Sequence, residues 1–188
     1  MLKQGFLIGV FLLLMGCVDV AMTGAQVVYN RHSIEENLSD QYITHQLYQA
    51  LHIRTESFRN ANISIATYHG NVLLTGQVPF GWQRTKVDEI AKGISGIRSI
   101  YNCITINPPT SNWIRINDAW LTTKVKARLL ASSDVDASKI KVVTENGSVY
   151  LMGTVTKNEA EAASALASST DGVRKVIKVF SYIQIVKA

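Results

Sequence analysis

The strongest constraint on this 188-residue chain is that it is written twice. "DQYITHQLYQAL" (Asp40 to Leu51) matches "DAWLTTKVKARL" (Asp118 to Leu129), and "ISIATYHGNVLLTGQV" (Ile63 to Val78) matches "IKVVTENGSVYLMGTV" (Ile140 to Val155). A third pair, "GIRSIYNCITI" from Gly96 and "GVRKVIKVFSYI" from Gly172, closes each copy. Order and spacing are kept, so the chain carries one folding unit duplicated, not a single large core.

Each copy reads as helix, strand, strand, helix, strand. Apolar residues recur at i, i+4 and i+8 (Ile43, Leu47, Leu51; Leu121, Val125, Leu129), which marks one buried face of a first helix, with Asp40 and Asp118 expected as its N-caps. Two strands follow, joined in the second copy by Asn146-Gly147, the strongest short hairpin signal, and in the first by the looser turn around Gly70. A second helix, roughly Trp82 to Ile94 or Asn158 to Ser169, leads through Gly96 or Gly172 into the last strand. Gly76 and Gly153 sit at matching places inside the second strand, where a helix packed closely over the sheet, or a bulge, would require a missing side chain. The fold class is α+β, with the two helices of each unit packed on a three-stranded mixed sheet. The first domain spans 40–106 and the second 118–188, joined by a linker over 107–117 that contains Pro108-Pro109.

The N-terminal stretch "MLKQGFLIGVFLLLMGC" has one early lysine and an apolar run from Phe6 to Met15 that is too short to span a bilayer. It reads as a signal peptide over 1–16. Leu14, Gly16 and Cys17 resemble a lipobox, which makes Cys17 the expected lipidation site and 17–39 a small, polar tether. Several acyl chains on one cysteine give firm anchoring, since each buried CH₂ contributes about 0.8 kcal/mol. Val18, in place of an aspartate, favours the outer membrane, although Asp19 follows. With Cys17 acylated, Cys103 has no disulfide partner and reads as a packed strand residue.

The bulk composition, 47% hydrophobic and 18% charged, excludes a disordered chain. The formal charge of +5 falls to +4 once Lys3 leaves with the signal peptide, and the second half is the basic one. His32, His45, His52 and His69 lack metal-ligand spacing, and Asp88-Glu89 would point two ways from a helix. Neither an enzyme nor a cofactor is expected.

The Asp-initiated helices, "NVLLTGQV" and "SVYLMGTV", and the "GIRSI" and "GVRKV" final strands resemble tandem BON domains. With the lipobox, the chain resembles the dual-BON outer-membrane lipoproteins. That resemblance implies an αββαβ fold per repeat, residence on the periplasmic face of the outer membrane, binding of anionic phospholipid through the second domain, and a part in envelope integrity.

The helix around "NDAWLTTKVKARLL" is where the two copies diverge. Opposite its buried arc lie Leu130, Thr123, Ala127, Trp120, Lys124 and Arg128, with Lys126 just beyond Leu130; the first copy has His52, His45, Gln49, Tyr42, Gln46, Ala50 and Tyr48 there. The first copy makes the same fold without permanent charges, so the cations are not required to fold the unit. Lysine and arginine suit an anionic bilayer while tryptophan sits at the headgroup level, and phosphatidylglycerol and cardiolipin are the expected lipids. In this reading Trp120 and Leu130 insert, Lys124, Arg128 and Lys126 pair with phosphates, and Thr123 and Ala127 keep the face flat. Trp120 also has a structural reading, since Tyr42 stands at its place and both aromatics could cover a domain edge. An envelope-protein partner is the competing functional reading, because Trp and Arg dominate protein interfaces. Nucleic acid, which the same residues would suit, is not expected outside the cytoplasm.

Overall fold

The computed structural model describes residues 24–183. The proposed signal peptide and Cys17 lie outside the described residues. The chain divides into two compact units, 1–35 and 36–188, and the second holds both repeats.

The first repeat runs α1 (Gly24–Tyr48), a π-helical turn (Gln49–Ile53), a 3₁₀ turn (Glu56–Phe58), β1 (Asn62–Tyr68), β2 (Asn71–Val78), α2 (Gly81–Lys92), β3 (Ser99–Asn102) and β4 (Thr105–Ile106). The second runs α3 (Asn112–Leu130), a 3₁₀ turn (Ala137–Lys139), β5 (Ile140–Glu145), β6 (Ser148–Val155), α4 (Lys157–Ser168) and β7 (Lys175–Tyr182). In each, a hairpin sets the first two strands antiparallel, and the following helix supplies the crossover that brings the last strand parallel to the middle one. β3 and β4 are two parts of that last strand in the first repeat, both paired with β2.

The middle strands explain the layering. In β2, Val72 and Leu74 face the helices with Ile43, Leu47, Leu51 and Val87, while Leu73 faces the other domain. In β6, Val149 and Leu151 face Val125, Leu129, Ala163 and Ala167, while Tyr150 and Met152 meet Leu73, Ala66 and Val179 in a third cluster. Each sheet therefore has helices on one face and the sister sheet on the other. Strands buried on both faces need continuous apolar runs, which is why "VLL" and "VYLM" do not alternate. Cys103 is half-buried beside this third cluster. Burial pushes its thiol pKa up, the opposite of what a reactive thiol needs.

Three expectations change. Asp40 and Asp118 are not N-caps, because α1 begins at Gly24 and α3 at Asn112. Their carboxylates instead accept hydrogen bonds from the hairpin turns: His69 N and Gly70 N at 2.7 Å each for Asp40, and Asn146 N and Gly147 N at 2.6 and 2.8 Å for Asp118. Both turn residues have positive φ in each hairpin, as a type I′ turn requires, so their amides converge on one acceptor. The other side of the turn is closed by the arginine of the Gly-[Ile/Val]-Arg repeat, with Arg98 N donating to Gly70 O and Arg174 N to Gly147 O.

The tether, read as 17–39, is helical from Gly24 onward, and the linker, read as 107–117, ends where Ser111 takes the extended N-cap conformation of α3. Pro108 and Pro109 hold the chain extended only up to that point.

Neither reason offered for Gly76 and Gly153 is observed: pairing runs one-to-one through Ile63–Gly76 and Ile140–Gly153 without a bulge, and what approaches each glycine is neighbouring backbone. A Cβ on Gly76 would lie 2.0 Å from Asn62 O, and one on Gly153 2.4 Å from Lys139 O, so the clash is with backbone at the strand edge and not with a helix.

Candidate functional site

α3 presents three different faces. Leu121, Val125 and Leu129 are buried against the second sheet. Opposite them, Trp113, Ile116, Trp120 and Leu130 are 76, 61, 62 and 73% exposed, with Thr123 and Ala127 exposed between them. At about 100° per residue these six fall within an arc on the order of 100°, a stripe about 26 Å long. Their spacing of three and four residues, 113, 116, 120, 123, 127, 130, is that of a continuous seam along one side of a helix.

Trp113 and Ile116 lie ahead of Asp118, where the sequence alone places the start of the second domain, because the helix begins at Asn112. The signal was present, since the same spacing runs backward through Asn117 into the assumed linker.

Cations flank the stripe on both sides. Lys124 Nζ donates to Asp171 O at 2.6 Å, and Arg128 Nη1 donates to Ser169 O at 2.7 Å and Thr170 Oγ1 at 3.2 Å. These groups lie just beyond Ser168, where the last carbonyls of α4 leave a partial negative charge that the cations satisfy. In the second domain, therefore, Lys124 and Arg128 fasten α3 to the end of α4, a task the first domain folds without. Lys126 and Arg115 stand on the other flank; Lys126 faces the first domain. Trp120 and its counterpart Tyr42, 58% exposed, both stand largely in solvent.

A second exposed apolar group lies at the start of α2. Phe80 and Trp82 stack with ring centroids 6.5 Å apart, and Ile106 is exposed nearby, against Gly81. Among the described residues no group of histidine, cysteine or carboxylate side chains could hold a metal ion, and no helix is long and apolar enough to cross a membrane.

The BON domain family model matches residues 39–108 and 117–184. The chain is 34% identical to "Outer membrane lipoprotein DolP" of Haemophilus influenzae over 185 residues, covering 96% of each chain. It is also 34% identical to "21 kDa hemolysin" of Actinobacillus pleuropneumoniae, covering 89% of this chain and 80% of that one. With "Osmotically-inducible protein Y" of Escherichia coli it shares 28% identity, covering 81 and 77%. Two matched domains, together spanning most of the chain, and a relative aligned from end to end lead to one conclusion: the chain belongs to the BON-domain family, as a dual-BON protein similar to the DolP outer-membrane lipoprotein.

Proposed function

We propose that this is a non-enzymatic lipoprotein of the outer membrane, anchored at its periplasmic face through Cys17, whose α3 lies on anionic phospholipid and thereby supports envelope integrity. The observation that carries the reading is the exposed Trp113–Ile116–Trp120–Leu130 stripe with cations along both flanks. A helix of this design lies in the interface plane, its aromatic rings at the headgroup level and its cations over phosphate. The four flanking cations contribute about 1 kcal/mol each near an anionic leaflet. That sum is modest, and the acyl anchor makes it sufficient by raising the local concentration of membrane. The names of the DolP and osmotically inducible relatives place them at the outer membrane or under osmotic stress, which agrees with this setting.

The test is co-sedimentation of the fragment Val18 to Ala188 with vesicles. Pelleting with phosphatidylglycerol or cardiolipin and not with phosphatidylcholine is expected. Equal pelleting with all three, or with none, contradicts the reading.

The exposed Phe80–Trp82 pair favours a second role beside the first, docking of an envelope protein at the start of α2, since its sister position carries Thr156 and Asn158. Crosslinking from Trp82 in the periplasm tests it: a discrete adduct is expected, and none would dismiss the role.

A further inference from the structure

A cleft of about 700 Å³ opens between the two BON domains, a size that suits a small molecule. His45, Tyr48, Tyr68 and His69 line it from the first domain, and Lys126 and Lys141 from the second. Among the described residues its charge is unbalanced. Lys141 Nζ donates to Thr67 O at 2.9 Å, and no hydrogen bond or ion pair among the described residues involves Lys126. The one carboxylate in the described lining, Asp40, is already directed at the amides of His69 and Gly70. Burial pulls the Lys141 pKa down; nearby Asp40 raises it and Lys126 lowers it further, so the two ammonium groups on the second-domain wall repel each other.

The duplicated sequence shows which of these residues the fold does not demand. His45, Tyr48, Tyr68 and His69 stand where the second domain has Thr123, Lys126, Glu145 and Asn146, and both domains make the same hairpin and helix. His69 holds φ +48° at a turn position where Asn is the ordinary choice, as Asn146 is in the sister turn. Two ammonium point charges suit a tetrahedral dianion, whereas a planar carboxylate is better matched by the fork of an arginine, and no arginine lines the cleft among the described residues. Imidazole and phenol groups add donors and flat walls for a polar organic body.

We propose that the cleft between the domains binds an organic phosphate, with its phosphoryl group between the Lys126 and Lys141 ammonium groups and its body against His45, Tyr48 and Tyr68. The site is separate from the apolar stripe of α3 and needs no membrane surface to be occupied. Lys126, at the edge of both, is the residue they share.

The test uses the full chain in zwitterionic detergent micelles, titrated with sn-glycerol 3-phosphate, inorganic phosphate or phosphatidylglycerol and followed by NMR at His45, Tyr48 and His69. Saturable shifts are expected with the glycerol ester, and Lys126→Gln should weaken its affinity about tenfold, the loss of one charge-assisted contact, without lowering the melting temperature. Saturation by phosphatidylglycerol alone supports the proposal with a lipid headgroup as the source, and saturation by the soluble ester supports it with a free phosphate. No saturable shift with any probe, saturation by inorganic phosphate alone, or unchanged affinity in Lys126→Gln overturns it. A chain that ignores vesicles yet binds the soluble ester would sink the membrane reading and leave this one standing.

Discussion

Gln77 Nε2 donates a 2.7 Å hydrogen bond to Glu145 Oε1, joining the two BON domains through a glutamine that is only 2% exposed. The same side chain's Oε1 accepts from Asn62 Nδ2 at 2.9 Å and from the amide and hydroxyl of Thr110 at 3.2 and 3.3 Å. One amide thus ties together a strand, the linker and the sister hairpin.

Gln77→Leu leaves the donors of Asn62 and Thr110 and the acceptor of Glu145 without this partner. A stability loss of about 2 kcal/mol is expected, the scale of stranding partly buried polar groups. Urea unfolding followed by circular dichroism measures it, and a change below a few tenths would show that water replaces the amide.

Glu145 makes the same boundary sensitive to pH. Burial raises its pKa, the hydrogen bond from Gln77 opposes the rise, Asp118 adds to it and Arg115 reduces it. Between the ordinary carboxylate range and that raised value the folded chain holds a proton that the unfolded chain has lost. This group's contribution to stability therefore falls as pH rises through the window and is level above it. Glu145→Gln keeps a carbonyl acceptor for Gln77 and removes the charge. The variant should melt above the parent at pH 7, with the gap closing on acidification; a gap that widens on acidification contradicts the assignment.

Asp118 is bonded to two turn amides, so Asp118→Ala should cost about 2 kcal/mol or more, while Asp118→Asn, which keeps one acceptor, should cost less. Hydrogen exchange at Asn146 and Gly147 reads the same change locally, and both amides should lose protection in the alanine variant. If α3 frays at Asp118 and the turn stays protected, the aspartate is a cap after all.

Lys124 and Arg128 touch the end of α4, whereas Lys126 makes no bond among the described residues. Arg128→Gln should therefore lower stability by about 0.5–1 kcal/mol as well as weaken vesicle binding, and Lys126→Gln should leave stability unchanged. Thermal melts of the two variants, side by side, separate the structural from the binding part of the charge.

The duplicated unit, its helix cores and its hairpins were legible because each is a local periodic pattern repeated at fixed spacing, as in Ile43, Leu47, Leu51 and Leu121, Val125, Leu129. The role of Asp40 and Asp118 was not. An aspartate ahead of an apolar helical run looks the same whether it caps that helix or reaches a turn about 30 residues away. Trp113 and Ile116 were hidden by the prolines before them, which made the start of α3 look like the end of a linker. The double burial of β2 and β6 was written in their unbroken apolar runs, but the partner sheet is a long-range fact. So is the cleft, whose walls are contributed by residues about 80 positions apart in the sequence.

Insertion of the α3 stripe into an anionic bilayer is the step on which the proposed function rests. Its most direct measurement is tryptophan emission from a variant with Trp82→Phe and Trp113→Phe, leaving Trp120 as the one tryptophan, on vesicles carrying brominated phosphatidylglycerol. A blue shift with quenching on these vesicles, and neither on brominated phosphatidylcholine, is the predicted result. Pelleting with phosphatidylglycerol while Trp120 emission stays unshifted and unquenched would contradict it.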